Sequence, residues 1–231
     1  MFGLYDESGT IIASWPDPSR KPAVPVPYAQ ETMHGMEYAF GQMLKLSGAL
    51  DDGARVVAAV RDRYDGERRN PWNEIECGSN YARSMAAWGA VVVLSGFTFD
   101  AGRGHIGFHP RVRGEGAFQS IWSGPGAYGT VRIEEGAVTV VVLGGTLRLA
   151  SLGLPLRGGR PTEVVIDSRP TAMRIEGDEL LIEPVDLGPG STVRVLASTI
   201  SVGDLPMVDG LGQRVPSAEI GMPDSLMPVG A

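Results

Sequence analysis

Between Asn70 and Arg83 the chain reads NPWNEIECGSNYAR, where groups able to do chemistry outnumber those able to fill a core. Glu74 and Glu76 stand two residues apart, a spacing that points both carboxylates the same way along an extended backbone. Trp72 and Tyr81 offer aromatic faces, Asn73 and Asn80 offer amides, and Arg83 follows Glu76 by two helical turns. Carboxylate, guanidinium, amide and ring together suit sugar hydroxyls. Each hydroxyl both donates and accepts, and a polar wall rejects ligands that leave it unpaired. A purely structural reading stands beside this one: the helix dipole alone favours Glu76 in a first turn, and Arg83 could tie the loop down. As a hydrolytic pair Glu74 and Glu76 are poorly placed, because neither has an apolar pocket to raise its pKa toward a general acid's range.

Other reactive groups carry less. His105 and His109 are four apart, but glycines and a strand-like IGF between them work against a shared metal, so no metal or cofactor is expected. Cys77 reads as a small buried hydrophobe. Arg61, Arg63, Arg68 and Arg69 alternate with Asp62, Asp65 and Glu67, which reads as a solvated, self-paired loop. The glycine-rich turns lack the strand–loop–helix setting of a phosphate cradle.

The elements that must position these groups follow from periodicity. Residues 1–27 are proline-broken and loop-like. Met33, Met36, Phe40, Met43 and Leu44 recur at helical spacing and predict an amphipathic helix with that stripe in the core, stopped near Gly48. Val56, Val57, Val60 and Tyr64 mark a second helix, and Tyr81, Met85, Trp88 and Val92 a third over about 76–94. From Phe97 the pattern changes to short β-branched runs. Val131–Ile133, Val138–Leu143, Leu147–Leu149, Val164–Ile166, Met173–Ile175, Leu180–Ile182 and Val193–Leu196 predict about seven antiparallel strands with glycine turns between them, as a sandwich or curved sheet. The fold class is therefore α+β: a helical part over 1–97, a β region over 98–200 and a Pro/Gly-rich tail over 201–231.

Composition narrows the function further. A net charge of −7 disfavours nucleic acid or an anionic membrane as partner, and 43% hydrophobic residues suit a globular chain. The longest apolar run, Ala86–Leu94, is too short to span a bilayer. The first fifteen residues carry no secretory pattern and there is a single cysteine, so the expected location is cytoplasmic.

The segment YDGERRNPWNEIECGSNYARSMAAWG (64–89) resembles a motif block of glycoside hydrolase family 116, the non-lysosomal glucosylceramidase and β-glucosidase family. LSGFTFDAGRGHIGFHPRV (94–112), GLYDESGTIIASWP (3–16) and VPYAQETMHGMEY (26–38) extend the resemblance over residues 1 to about 130. It implies that the helices are the last part of an (α/α)6 barrel whose enzyme cleaves β-glucosides with retention. The catalytic carboxylates would lie upstream, so no residue of this chain is expected to be catalytic. It implies that Glu74 and Arg83 hold sugar hydroxyls remote from the scissile bond, with Glu31 an acidic neighbour; Trp72, Asn73 and Glu76 complete the expected substrate-binding set. The partners implied are a β-glucoside or glucose-like sugar and the missing N-terminal part of the enzyme. The chain departs from the family at Met33, where tryptophan is frequent, and at Asn80, where histidine is common. The alternative expectation is a self-standing, non-catalytic sugar-binding module or one subunit of a split glycosidase.

Overall fold

The computed structural model describes residues 6–10, 13, 15–24, 32–72, 83–156, 160–198, 200–202 and 205–206, the side chains of 83 and 84 excepted. The chain divides into two compact units, Met1–Ala90 and Val91–Ala231.

In the described part of the proline-rich lead-in, Pro18–Arg20 form a 3-10 turn, with Asp17 capping it through the Ser19 amide. Helix α1, His34–Leu46, carries Glu37 in its first turn and Lys45 in its last, signs that complement the helix dipole. It ends at Gly48, whose φ of +95° suits the left-handed residue that closes a helix. After the link Ser47–Ala49, α2, Leu50–Arg63, begins with Asp51 and Asp52 in its first turn, making an αα-hairpin. The two helices cross at Gly41 and Gly53. A Cβ on Gly53 would collide with the Gly41 carbonyl and stand 2.7 Å from Lys45 Cγ, so only glycine permits this approach. A 3-10 turn, Arg83–Trp88, packs against α1 and runs into α3, Gly89–Ser95.

Two sequence expectations are corrected in this unit. The third helix is not one α-helix over about 76–94: residues 83–88 wind as a 3-10 turn, and α-helical geometry starts only at Gly89. Residues 73–82 lie outside the described set. The apolar stripe of α1 is also not core. Met36 is 62% exposed and Met43 55%, whereas His34, Glu37, Tyr38, Gly41, Gln42 and Lys45 form the buried face. The helix is turned inside out because its polar groups are drawn inward by charge pairing with α2 and the lead-in segment. On the later helical segment Met85, Trp88 and Val92, the stripe that marked the third helix, are exposed as well. The second stripe fares better, with Val60 and Tyr64 fully buried.

The second unit is built on two sheets. One holds β1 (Thr98–Asp100), β2 (His105–Gly107), β6 (Leu147–Gly153), β10 (Glu179–Leu187) and β9 (Met173–Glu176) in that order. The other runs β3 (Ala117–Gly124), β4 (Ala127–Glu134), β5 (Ala137–Gly145), β11 (Thr192–Leu196), β7 (Glu163–Ile166) and β8 (Arg169–Pro170). All seven expected strands are present, and the α+β class holds. Four more join them, because β3 is rich in polar residues and β1, β2 and β8 are too short for a period to register. Pairing is antiparallel except between β2 and β6, which run parallel with His105 opposite Ser151 and Gly107 opposite Gly153.

Alternation in β4 and β5 puts Val131, Ile133, Val138, Val140 and Val142 inside, each at most 1% exposed. Phe97 stacks its ring toward Phe108 (5.4 Å) and Trp122 (6.3 Å), joining the core of the two sheets. Trp122 lies across Gly129, its direct cross-strand partner, and a Cβ there would meet the indole at 2.8 Å. In the β7–β8 turn Asp167 and Ser168 both adopt positive φ, and Asp167 accepts from the Thr192 amide at 2.8 Å, which holds the strained turn in place.

Candidate functional site

Burial of charge singles out the first unit. Arg63, at the end of α2, is 2% exposed and donates from Nη2 to Glu37 Oε2 on α1 and from Nη1 to the Ser8 carbonyl. The other Glu37 oxygen accepts from the Thr10 amide at 2.8 Å. One carboxylate and one guanidinium thus sew the segment 6–10 to both helices. Around them the same segment is held twice more: Arg69 pairs with Glu7 and also donates to the Arg63 carbonyl at 3.0 Å, and Arg68 reaches Asp6 at 2.8 Å. These hydrogen bonds push the Arg69 and Arg68 pKa values up and that of Asp6 down.

The expectation of a solvated, self-paired arginine loop is therefore corrected. Arg63, Arg68 and Arg69 pair with carboxylates far away in sequence, and the local contact that remains is Arg68 at 4.0 Å from Asp65, whose Oδ1 accepts from the amides of Glu67 and Arg68.

Beside these pairs opens a cleft of about 760 Å³ between the segment 6–10 and the two helices. Its wall is apolar through Phe40, Leu44 and Val56, and its edge is charged through Asp52, Asp62 and Arg68. The chemistry this arrangement can support is recognition. Glu37 is committed to Arg63 and the Thr10 amide. Asp6, Asp17 and Asp65 are each pushed down, chiefly by hydrogen bonding, the opposite of what a general acid needs.

Two further groups on the buried face of α1 are unusual. Gln42 is 7% exposed and neither its Oε1 nor its Nε2 has a hydrogen-bond partner. Lys45, 6% exposed, has its pKa lowered by burial. The sequence signal for this wall was available. His34, Glu37, Gly41 and Lys45 recur at helical steps as regularly as the methionines, but charged residues at that spacing are ordinarily a solvated face.

Of the residues singled out from sequence, Trp72 stands in a turn with its amide donating to Asn70 Oδ1 at 2.9 Å, and its indole is 84% exposed. Arg83 opens the 3-10 turn that packs on α1, its side chain outside the described set. Glu31, Asn73, Glu74 and Glu76 lie outside the described residues, as do Cys77, Asn80 and Tyr81. The structure thus places Arg83 at the start of a turn packed on α1 and leaves Trp72 in solvent.

In the second unit His105 Nδ1 lies 2.7 Å from Ser151 Oγ and 3.9 Å from Glu179 Oε2, while Arg103 holds Glu179 at 3.0 Å. Desolvation lowers the His105 pKa. The hydroxyl and the carboxylate both approach the same ring nitrogen, so this is not the relay of a nucleophilic triad, in which they take opposite nitrogens. Among the described residues no group of three or more His, Cys, Asp or Glu side chains could hold a metal ion, and no helix is long and apolar enough to cross a membrane.

No protein family matches the sequence and no curated protein is significantly similar to it. Among solved structures, the GH127 β-L-arabinofuranosidase Ara127N from Geobacillus stearothermophilus T6 aligns over 60% of this chain at 16% identity and a TM-score of 0.32. A rhamnosidase from Novosphingobium sp. PP1Y aligns over 73% at 18% identity and a TM-score of 0.18. The chain spans 22% and 14% of the lengths of those two enzymes. Both similarities are too remote to assign a fold or a chemistry.

Proposed function

We propose that this chain is the C-terminal portion of a retaining β-glucosidase- or glucosylceramidase-like glycoside hydrolase, supplying sugar-holding residues and not the catalytic carboxylate pair. The observation that carries the reading is the run Tyr64–Gly89, which resembles the motif block of that hydrolase family. In this reading Glu74 and Arg83 hold hydroxyls of the glucosyl unit remote from the scissile bond. Trp72 supplies a stacking face, and Glu31, Asn73 and Glu76 complete the polar wall. The position of Arg83 at the head of a turn packed on α1, a helix that carries Glu37, Gln42 and Lys45, supports this, since a sugar needs several polar groups rather than a single ion pair.

Retention needs a nucleophile and an acid about 5 Å apart, and both would come from chain outside this one. A charge-assisted bond from Arg83 is the largest single contribution expected here. Replacing Arg83 by alanine should therefore abolish binding of methyl β-D-glucopyranoside measured by titration calorimetry. Unchanged affinity in that variant removes the reading. Hydrolysis of an aryl β-glucoside by the pure chain would contradict it from the other side.

A second reading, a self-standing sugar-binding module, is favoured by the β unit, which closes a core of its own around Val131, Ile133, Val138 and Val195. It predicts full-strength glucoside binding by this chain with no added polypeptide.

A further inference from the structure

The cleft between the segment 6–10 and the helices α1 and α2 takes no part in the sugar reading, and the charges that line it do not balance. Among the described residues five carboxylates and three guanidinium groups line it. Each guanidinium is already taken: Arg63 by Glu37, Arg68 by Asp6 and Arg55 by Asp52. Glu7, the fourth carboxylate, pairs with Arg69 from outside the lining. The fifth is Asp62. Among the described residues its exposed carboxylate has neither a hydrogen bond nor an ion pair.

The shape of the cleft follows from α2. Asp52, Arg55, Ala59 and Asp62 recur at steps of three and four, so one face of that helix lines the space. Ala58 and Ala59 are its short side chains, and the volume left open is about 760 Å³, within the range of sites that take a small organic ligand. Phe40 and Leu44 from α1 and Val56 from α2 give it an apolar wall, with Phe40 39% exposed. The opposite side is fixed before any ligand arrives. A Cβ on Gly9 would stand 2.7 Å from Arg63 Nη1, so the segment lies close against the buried ion pair, and a wall held in place needs no ordering on binding.

We infer that this cleft binds a small organic cation, an ammonium group carried on an aliphatic or aromatic body. The body lies against Phe40, Leu44 and Val56, and the ammonium pairs with Asp62. An anion is disfavoured, because every lining guanidinium has its carboxylate and the charge left over is negative. A neutral apolar molecule would gain the wall and nothing from Asp62. The inference shares no residue with the sugar reading and stands without it.

The test titrates the full chain with hexylammonium, beside hexanol and hexanoate, which carry the same body with no charge or a negative one. Hexylammonium should bind about three- to tenfold more tightly than hexanol, and hexanoate more weakly than either. Asp62→Asn, a change at an exposed position, should bring hexylammonium down to the affinity of hexanol. Ala59→Phe, which fills the cleft from α2, should weaken hexylammonium and hexanol alike by about tenfold or more. Hexanoate bound as tightly as hexylammonium overturns the inference, and so does undiminished hexylammonium affinity in Asp62→Asn. Binding retained by a folded Ala59→Phe chain puts the cation elsewhere and overturns it too, as does a wild-type chain that takes no hexylammonium. Should Ala59→Phe fail to fold, Asp62→Asn decides alone. Methyl β-D-glucopyranoside titrated in parallel reports on the sugar reading separately.

Discussion

Glu37 and Arg63 are 26 residues apart in sequence and nearly without solvent contact in the fold. A buried pair of this kind is worth little over an apolar replacement, but breaking it is costly because one charge is left alone. Arg63→Ala or Glu37→Ala alone should therefore cost about 3–5 kcal/mol in urea denaturation, and Arg63→Met combined with Glu37→Leu should recover most of it. A double variant no better than the singles would mean that the anchoring of Ser8 and Thr10, not the charge pair, dominates.

His105 makes the matching case in the β unit. Burial lowers its pKa, so the folded state resists the proton more than the unfolded chain does. Its contribution is fully present above the unfolded value of about 6.5 and is lost as pH falls through the lower folded value. Thermal melts should show Tm falling between pH 7 and 5, and His105→Gln should flatten that slope. None of these partners was legible beforehand, since nothing local in Arg63 or His105 names a residue tens of positions away.

At the scale of elements, α1 is the instructive failure. Its methionine and phenylalanine stripe has helical period and was expected inside, yet the polar face is the buried one. Helix existence and length came from period and from the Gly48 stop, which are local. The choice of face depends on what the neighbouring elements present, here Arg63 from α2 and the Ser8–Thr10 backbone. Met43→Lys should accordingly change stability by no more than about 0.5 kcal/mol, where a buried methionine would cost about 2–5 kcal/mol on truncation; chemical denaturation decides between these. The strands were easier. Alternation in β4 and β5 reports a two-faced ribbon whichever sheet it joins, and the Glu135-Gly136 turn imposes a φ of +76° at Gly136, which favours glycine there. Gly129 is a further element-scale case: Gly129→Val should unfold the β unit or cost about 3 kcal/mol or more, because a Cβ there would collide with the Val141 carbonyl and the Trp122 indole.

For the whole molecule the consequence of the inverted helix is surface. Met36, Met43, Leu46, Met85 and Trp88 are each more than half exposed in the first unit. Apolar surface on that scale favours association. Sedimentation velocity should show the average mass rising with concentration, and Met36→Glu with Met43→Glu should suppress the rise. A strictly monomeric wild type over a wide concentration range would contradict this.

The amino-acid sequence by itself determined the α+β order, the two helices of the hairpin, the seven main strands and their glycine turns. It also drew attention to the 70–83 stretch, because period, turn chemistry and unusual residue clusters are properties of neighbours along the chain. Only the tertiary structure decided that α1 buries its polar face, that Arg63, Arg68 and Arg69 clamp the segment 6–10, that β2 and β6 pair in parallel, and that Gln42 is enclosed without a partner. Those are relations between residues far apart in sequence. Their energies come from desolvation and charge pairing that exist only once the chain has closed around them.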